Sequence, residues 1–330
     1  MMTFEFTNDA LFSFGVGKIK ALETKMITRP IFDQMAEGSL ESIYKSIAEY
    51  GYSVNLEESI LKSKKTTYDL VTHLIEKKER YHILSDLYLL QEDCYNLKNY
   101  LKSPKSPVLP FNPLGKISQK DLQEIVNNKR YHLFDKMDSE IAGYYIAQAM
   151  ERSTPSGIDQ MIDTLFLELS LKKIRQSEVD YLNVYFHDYV DLLNIENLLR
   201  FKFMKKDFSY FSQFYFHCGS LKKRFLEELY REKIEDIALR FRSKRYASVL
   251  QKTAEAWIKD QNLNSFEVEK DNYLNSLARI TRLLTFGVEP IFGYLFGKET
   301  EYKNLRIIIN GKQRKLSVDQ IKEMIRQTYV

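Results

Sequence analysis

The sequence predicts an all-α protein built from one helical unit of roughly 110 residues used three times. Three observations lead there. The 330 residues include only 12 Gly and 7 Pro, which leaves little turn chemistry and favours long helices over hairpins. Apolar residues recur at three- and four-residue spacing, and no stretch alternates as a half-buried strand would. Finally, an Asn-Leu-basic core recurs near the end of apolar helical stretches. It stands as Asn96-Leu97-Lys98, in relaxed form as Asn197-Leu198-Leu199-Arg200, and as Asn304-Leu305-Arg306, at intervals of 101 and 107 residues. The expected units are residues 1–110, 111–215 and 216–330.

Taken in order, residues 9–50 read as two helices from Leu11, Phe14, Ile19, Leu22 and Met26, with Ser39-Leu40-Glu41-Ser42 as a helix start. Residues 66–102 form a second helical group, in which Leu87, Leu90, Cys94, Leu97 and Leu101 make a packing seam. Ser103 to Pro113 holds four of the seven prolines. Proline lacks an amide donor and restricts its predecessor, so this segment is an extended connector. Helix resumes from Ser118 to Lys206, interrupted by a stop and a new cap at Ser153-Thr154-Pro155-Ser156-Gly157. An aromatic run covers Phe208 to Phe216, and Gly219-Ser220 precedes a charged helix from Leu221 to Arg245. A helix over Phe266–Phe286 is broken by Gly287 and Pro290. Final helices over 291–310 and 317–328 are joined at Gly311.

Superposing the three signature helices on Leu97, Leu198 and Leu305 matches Cys94, Ile195 and Tyr302 three residues earlier, and Tyr100, Phe201 and Ile308 three later. These are the positions a shared packing face would use. Asp93, Asn194 and Glu301 also coincide, giving one polar site per helix, and Asn96, Asn197 and Asn304 belong to the same packing signature.

Composition bounds the class. At 44% hydrophobic and 28% charged, the chain is globular, and its length calls for two or three domains. A net charge of +4, with acidic and basic residues interleaved, does not compel a nucleic-acid partner. Cys94 and Cys218 are isolated thiols, consistent with a reducing cytosol. The start MMTFEFTNDA shows no signal peptide, and no uncharged apolar run is long enough to span a membrane.

Residue patterns that would carry chemistry are incomplete. Gly293-Tyr294-Leu295-Phe296-Gly297-Lys298 has three intervening residues where a phosphate loop needs four, and Glu299 stands where a hydroxyl should bind magnesium. Among His73, His82, His132, His187 and His217 no two share a helical turn, and Glu79-x-x-His82 lacks the second motif that a di-iron bundle needs. No catalytic residue, cofactor, metal or small-molecule substrate is therefore expected. The basic groups Lys222-Lys223-Arg224 and Arg240, Arg242, Lys244, Arg245 offer an alternative role, nucleic-acid or scaffold binding through the 221–245 helix. Glu227, Glu228, Glu232, Glu235 and Asp236 interrupt them, as on a solvated, ion-paired face.

One resemblance covers about residues 10–330. Glu289-Pro290-Ile291-Phe292-Gly293-Tyr294-Leu295, Lys298-Glu299, Lys303-Asn304-Leu305-Arg306-Ile307-Ile308, Gly311-Lys312, Leu316-Ser317, Ile321 and Tyr329-Val330 are similar to the end of the C subunit of prokaryotic V/A-type (vacuolar/archaeal-type) ATPases, whose counterpart in eukaryotic vacuolar ATPases is the d subunit. Lys18-Ile19-Lys20-Ala21-Leu22-Glu23 resembles the opening of that family, and Asp93, Asn96-Leu97-Lys98 and Asp191-Leu192-Leu193-Asn194-Ile195 resemble its internal signatures. Tyr95 and Cys218-Gly219 depart from the family's His and Gly-Gly. The resemblance implies three related helical bundles in a pseudo-threefold funnel, one copy in a hetero-oligomeric complex. It implies a non-catalytic central-stalk rotor subunit that joins the shaft subunits to the membrane proteolipid ring on the cytoplasmic face, a peripheral position. ATP hydrolysis or synthesis would thereby be linked to proton or sodium-ion transport. Lys98, Arg200 and Arg306, beside the repeated helices, are the expected lining of the shaft socket.

Overall fold

The computed structural model describes residues 5–76, 79–84, 87–103, 111–261 and 263–330. Among them every regular element is helical. The centre of the proline-rich connector, residues 104–110, and the side chain of Glu79 lie outside the described part.

Four helices come first: α1 (Ser13–Glu23), α2 (Arg29–Glu37), α3 (Leu40–Glu49) and α4 (Leu56–Ile75). Polar caps start two of them. Ser39 accepts from Ser42 N–H, as its sequence position predicts, and Asn55 accepts from Glu58 N–H. Next come α5 (Glu79–His82), α6 (Leu87–Lys102), α7 (Gln119–Asn127), α8 (Ser139–Met150) and α9 (Pro155–Ser177). Thr154 caps α9 ahead of Pro155, whose missing N–H costs nothing in a first turn. The last eight are α10 (Asp180–Phe203), α11 (Phe208–Ser212), α12 (Lys223–Arg231), α13 (Ile234–Ile237), α14 (Ala247–Asp260), α15 (Asn264–Ile280), α16 (Glu289–Gln313) and α17 (Val318–Met324).

The chain forms two compact units: residues 78–179, and residues 1–77 together with 180–330. In the first, Leu97 of α6 packs with Leu122 and Ile125 of α7, Ile146 of α8 and Leu165 of α9, all 0–1% exposed. Burying each such side chain contributes about 1.5–3 kcal/mol. Leu87, Leu90 and Cys94 of the expected seam are buried as well. In the second unit, Ile27, Phe32, Ile43 and Ile47 from the start of the chain pack with Tyr302, Leu305 and Ile308 of α16 and Ile321 of α17.

Four expectations are corrected. Residues 9–50 hold three α-helices rather than two. The helix expected to reach Phe286 ends at Ile280, followed by a 3-10 turn over Thr281–Leu283. Residues 221–245 are not one helix: α12 stops at Arg231, Glu232 and Lys233 are extended, and α13 is followed by a 3-10 turn over Ala238–Phe241. Gly311 is not a joint but lies in the last turn of α16, where its bare Cα packs on Ile321. Gly293 and Gly297 are likewise helical, pressed against Thr281 and Tyr329.

Candidate functional site

Three long helices, α6, α10 and α16, carry the same device. A carboxylate and an asparagine three residues later lie on one helix face. The pairs are Asp93 with Asn96, Asp191 with Asn194, and Glu301 with Asn304, all 0–4% exposed. Each asparagine clamps one residue of a returning segment by both of its backbone groups. Asn96 Nδ2 donates to Asn112 O at 2.9 Å and its Oδ1 accepts from Asn112 N at 2.7 Å. Asn194 does the same to Phe216, at 2.8 Å both ways. Asn304 does it to Arg326, at 3.1 and 2.8 Å. A primary amide suits this task because it offers a donor and an acceptor side by side.

The carboxylate secures a second stretch of backbone. Asp93 Oδ1 accepts from Ile117 N at 3.0 Å. Asp191 Oδ1 accepts from Ser220 N at 2.7 Å and Leu221 N at 3.0 Å. Glu301 Oε2 accepts from Ile27 N at 2.8 Å. Close approach of the chain is needed: a Cβ on Gly219 would lie 2.6 Å from Asp191 Oδ1, and one on Gly115 would strike Asp93. Glycine is thus required at both places by space rather than by φ.

Buried carboxylates need partners. Tyr246 OH donates to Asp191 at 3.0 Å and Tyr52 OH to Glu301 at 2.6 Å. Burial first, and then the neighbouring carboxylate, push both phenols far above their ordinary pKa, so they stay protonated donors. Lys298 also binds Glu301. One turn before Asp191, Asp188 receives both arms of Arg245 at 3.0 and 2.8 Å, and Tyr273 OH at 2.5 Å.

These bonds set the register between the helices. In the middle helix the clamp is Asn194, whereas Asn197 lies one turn further along and makes a single bond to Phe214 O at 3.2 Å. Ile195, not Leu198, therefore occupies the place of Leu97 and Leu305, although all four are buried. The sequence signal that finds the clamp is acid-x-x-Asn, and the stronger Asn-Leu match hides it.

The three expected socket cations are all paired within the chain. Lys98 binds Asp163 of α9, Arg200 binds Glu196 at 2.9 Å, and Arg306 binds Glu57 of α4 at 2.9 and 2.6 Å. By register the equivalents are Lys98, Glu196 and Arg306, two residues after each clamping asparagine. Glu196 also binds Lys270 of α15, so the middle pair has its charges reversed. What these groups do chemically is to hold backbone in place. Among the described residues no three His, Cys, Asp or Glu side chains converge as a metal site.

The family model of the ATP synthase (C/AC39) subunit matches residues 16–324. The C subunit of a V-type sodium ATPase from Enterococcus hirae is 28% identical over 179 residues, 54% of each chain. The C subunits of the A-type ATP synthases of Methanosphaera stadtmanae and Pyrococcus abyssi are each 23% identical over 95% of this chain, covering 87% and 90% of their own lengths.

Proposed function

Because the chain belongs to the ATP synthase C/AC39 subunit family, we propose that it is the rotor adaptor of a V/A-type ATPase, a part that transmits torque and carries out no chemistry. Matches to the archaeal C subunits over 95% of its length carry this reading. Its partners are the central shaft subunits and the membrane proteolipid ring, with one copy per complex. Its place is peripheral, on the cytoplasmic face. Among the described residues no helix is long and apolar enough to cross a membrane, so the ring contact is a docking contact. The complex it serves links ATP hydrolysis or synthesis to the movement of protons or sodium ions.

A loaded joint must not creep. The buried carboxylate and asparagine pairs supply stiffness, because every deformation of a holder helix against its segment breaks hydrogen bonds that water cannot replace. An exposed ion pair contributes only about 0–1 kcal/mol. Arg200 and Arg306, whose guanidinium groups are exposed, can therefore exchange their internal acids for carboxylates of the shaft, the socket role proposed for them together with the more buried Lys98. The alternative of nucleic-acid binding through residues 221–245 has less support. That segment is broken, and Arg224, Arg231 and Arg240 pair with Glu228, Glu227 and Glu232.

Gel filtration and native mass spectrometry of the chain mixed with the purified shaft subunits test the proposal. A 1:1 complex that survives physiological salt and is weakened by reversing charge at Lys98, Arg200 and Arg306 together is expected. No complex, or binding of nucleic acid with a steep salt dependence, would contradict it.

A further inference from the structure

We propose that the outer face of α1 and the chain just before α16 together dock on a bilayer of anionic phospholipid. The apolar side chains of this surface enter the acyl region, and its cations meet the headgroup phosphates. Four large apolar side chains project from it: Phe14 is 73% exposed, Leu283 86%, Leu11 48% and Phe286 40%. Exposed apolar groups gathered in one place mark an interaction surface. On its inner face α1 buries Val16, Ile19 and Glu23, which leaves Phe14, Lys18 and Ala21 together on the outer one.

Hydrogen bonds fix the two parts side by side. At one end Gly287 N–H donates to Asp9 O at 3.1 Å, and Val288 N–H to Thr7 Oγ1 at 3.3 Å. At the other, Lys20 Nζ donates to Arg282 O. Residues 282–287 therefore run antiparallel along α1, and the surface exists before anything binds, so docking costs little ordering entropy. Between the two parts lies a cleft of about 610 Å³, lined by Lys20, Glu23, Arg279, Arg282 and Leu283 among others. Three cations face one carboxylate there. Glu23 is already bound by Tyr329 OH at 3.0 Å, and by Lys20 and Arg282 at 3.6 and 3.5 Å. Lys18 and Arg279 are exposed, and neither has an ion-pair partner among the described residues. An anion is the complementary ligand.

The occupant follows from this mixture. A folded protein would need a separate pocket for each of four side chains that stand this far out, whereas hydrocarbon accepts any shape. Cations beside protruding Phe and Leu are the arrangement of helices that lie in a membrane interface, where long basic side chains reach back to the phosphates. Each Lys or Arg near an anionic leaflet adds to the attraction, and salt screens it. The inference goes beyond the rotor reading and stands on this chain alone: the protein touches lipid directly, in addition to any contact with a ring.

The test is flotation of the purified full chain with vesicles of phosphatidylcholine alone, or of phosphatidylcholine and phosphatidylglycerol in equal parts. Binding is expected only to the anionic vesicles, and it should weaken as salt rises. Phe14→Ser with Leu283→Ser, and separately Lys18→Glu with Arg279→Glu, should each lower the affinity at least about tenfold. These side chains are exposed, so circular dichroism should show the helix content unchanged. Phe203→Ser with Met204→Ser, at a second exposed apolar pair beside Lys205 and Lys206, should leave binding intact. In Leu283→Trp, brominated acyl chains should quench the added fluorescence. No binding to anionic vesicles, equal binding to neutral ones, absence of quenching, or an equal loss from the Phe203 and Met204 substitutions would overturn the proposal. So would a Phe14 and Leu283 variant that keeps its vesicle binding but no longer binds a detergent-solubilised proteolipid ring, since the face would then be a protein contact. The vesicles hold no ATPase subunit, so failure here leaves the rotor proposal standing.

Discussion

Glu301 accepts a 2.8 Å hydrogen bond from the backbone of Ile27, 274 positions away in sequence, and it is the counterpart of the bond from Ile117 to Asp93. A contact between distant parts of the chain therefore repeats one made locally. The same chemistry at Asp191 is the most heavily loaded of the three. Removing that carboxylate strands Ser220 N–H, Leu221 N–H and the Tyr246 hydroxyl together. Asp191→Ala should cost at least about 3 kcal/mol, since buried donors lose a charged acceptor. Urea unfolding followed by circular dichroism measures it.

The register assigned to the middle helix makes a sharp distinction between two asparagines three residues apart. Asn194→Ala removes both bonds to buried Phe216 backbone and should cost about 2–4 kcal/mol. Asn197→Ala removes one bond from a half-buried site and should cost less than about 1 kcal/mol. Equal losses in the same unfolding experiment would return the register to the one that hydrophobic superposition suggests.

Glycines separate packing from propensity. Gly219→Ala places a methyl 2.6 Å from Asp191 Oδ1, so the segment must move away from its holder. A loss of roughly 1–3 kcal/mol in stability is expected, as for overpacked cores. Gly17, within α1, has nothing within 4 Å of an added Cβ, and Gly17→Ala should raise stability by about 0.5–1 kcal/mol. Thermal melts of the two variants should therefore shift in opposite directions.

The Glu57–Arg306 pair gives a pH dependence. The hydrogen bonds from Arg306 hold the Glu57 carboxyl below its ordinary pKa. A carboxylate with a folded-state pKa below its unfolded value contributes fully above the unfolded pKa, and the contribution is lost as pH falls through the folded one. Because the pair is well exposed, the stake is about 0–1 kcal/mol. Glu57→Gln should thus be slightly less stable than the parent at neutral pH and equal to it in acid below the depressed pKa, as read from urea midpoints.

Much of the fold is legible in local sequence because its causes are local. Ser39, Thr154 and Pro155 mark helix starts by hydrogen bonding and backbone restriction that need no distant partner. Gly287, at φ 91 just before α16, is not what ends α15, which stops at Ile280 and passes through a 3-10 turn to extended Leu284. The break at Glu232 and Lys233 has neither Gly nor Pro to announce it. It is supported by contacts from elsewhere: Lys202 donates to Tyr230 O, and Arg240 pairs with Glu232. The one-turn slip in the middle repeat has a similar origin. Apolar faces look alike every three or four residues, so Leu198 and Ile195 fit equally well, and only the buried polar pair Asp191 and Asn194 fixes the alignment. Nothing near Ile27 reveals that its partner is Glu301, because that bond depends on the completed fold.

Coupling a shaft to a ring, with no chemistry of its own, is the role proposed for this chain. It is tested by comparing ATP hydrolysis with ion uptake in vesicles carrying the complete ATPase, the same vesicles lacking this chain, and those after its return. The expected result is that hydrolysis by the catalytic part persists without the chain, ion uptake stops, and adding the chain back restores uptake. Ion uptake that continues in its absence, or ATP hydrolysis by the isolated chain, would contradict that role.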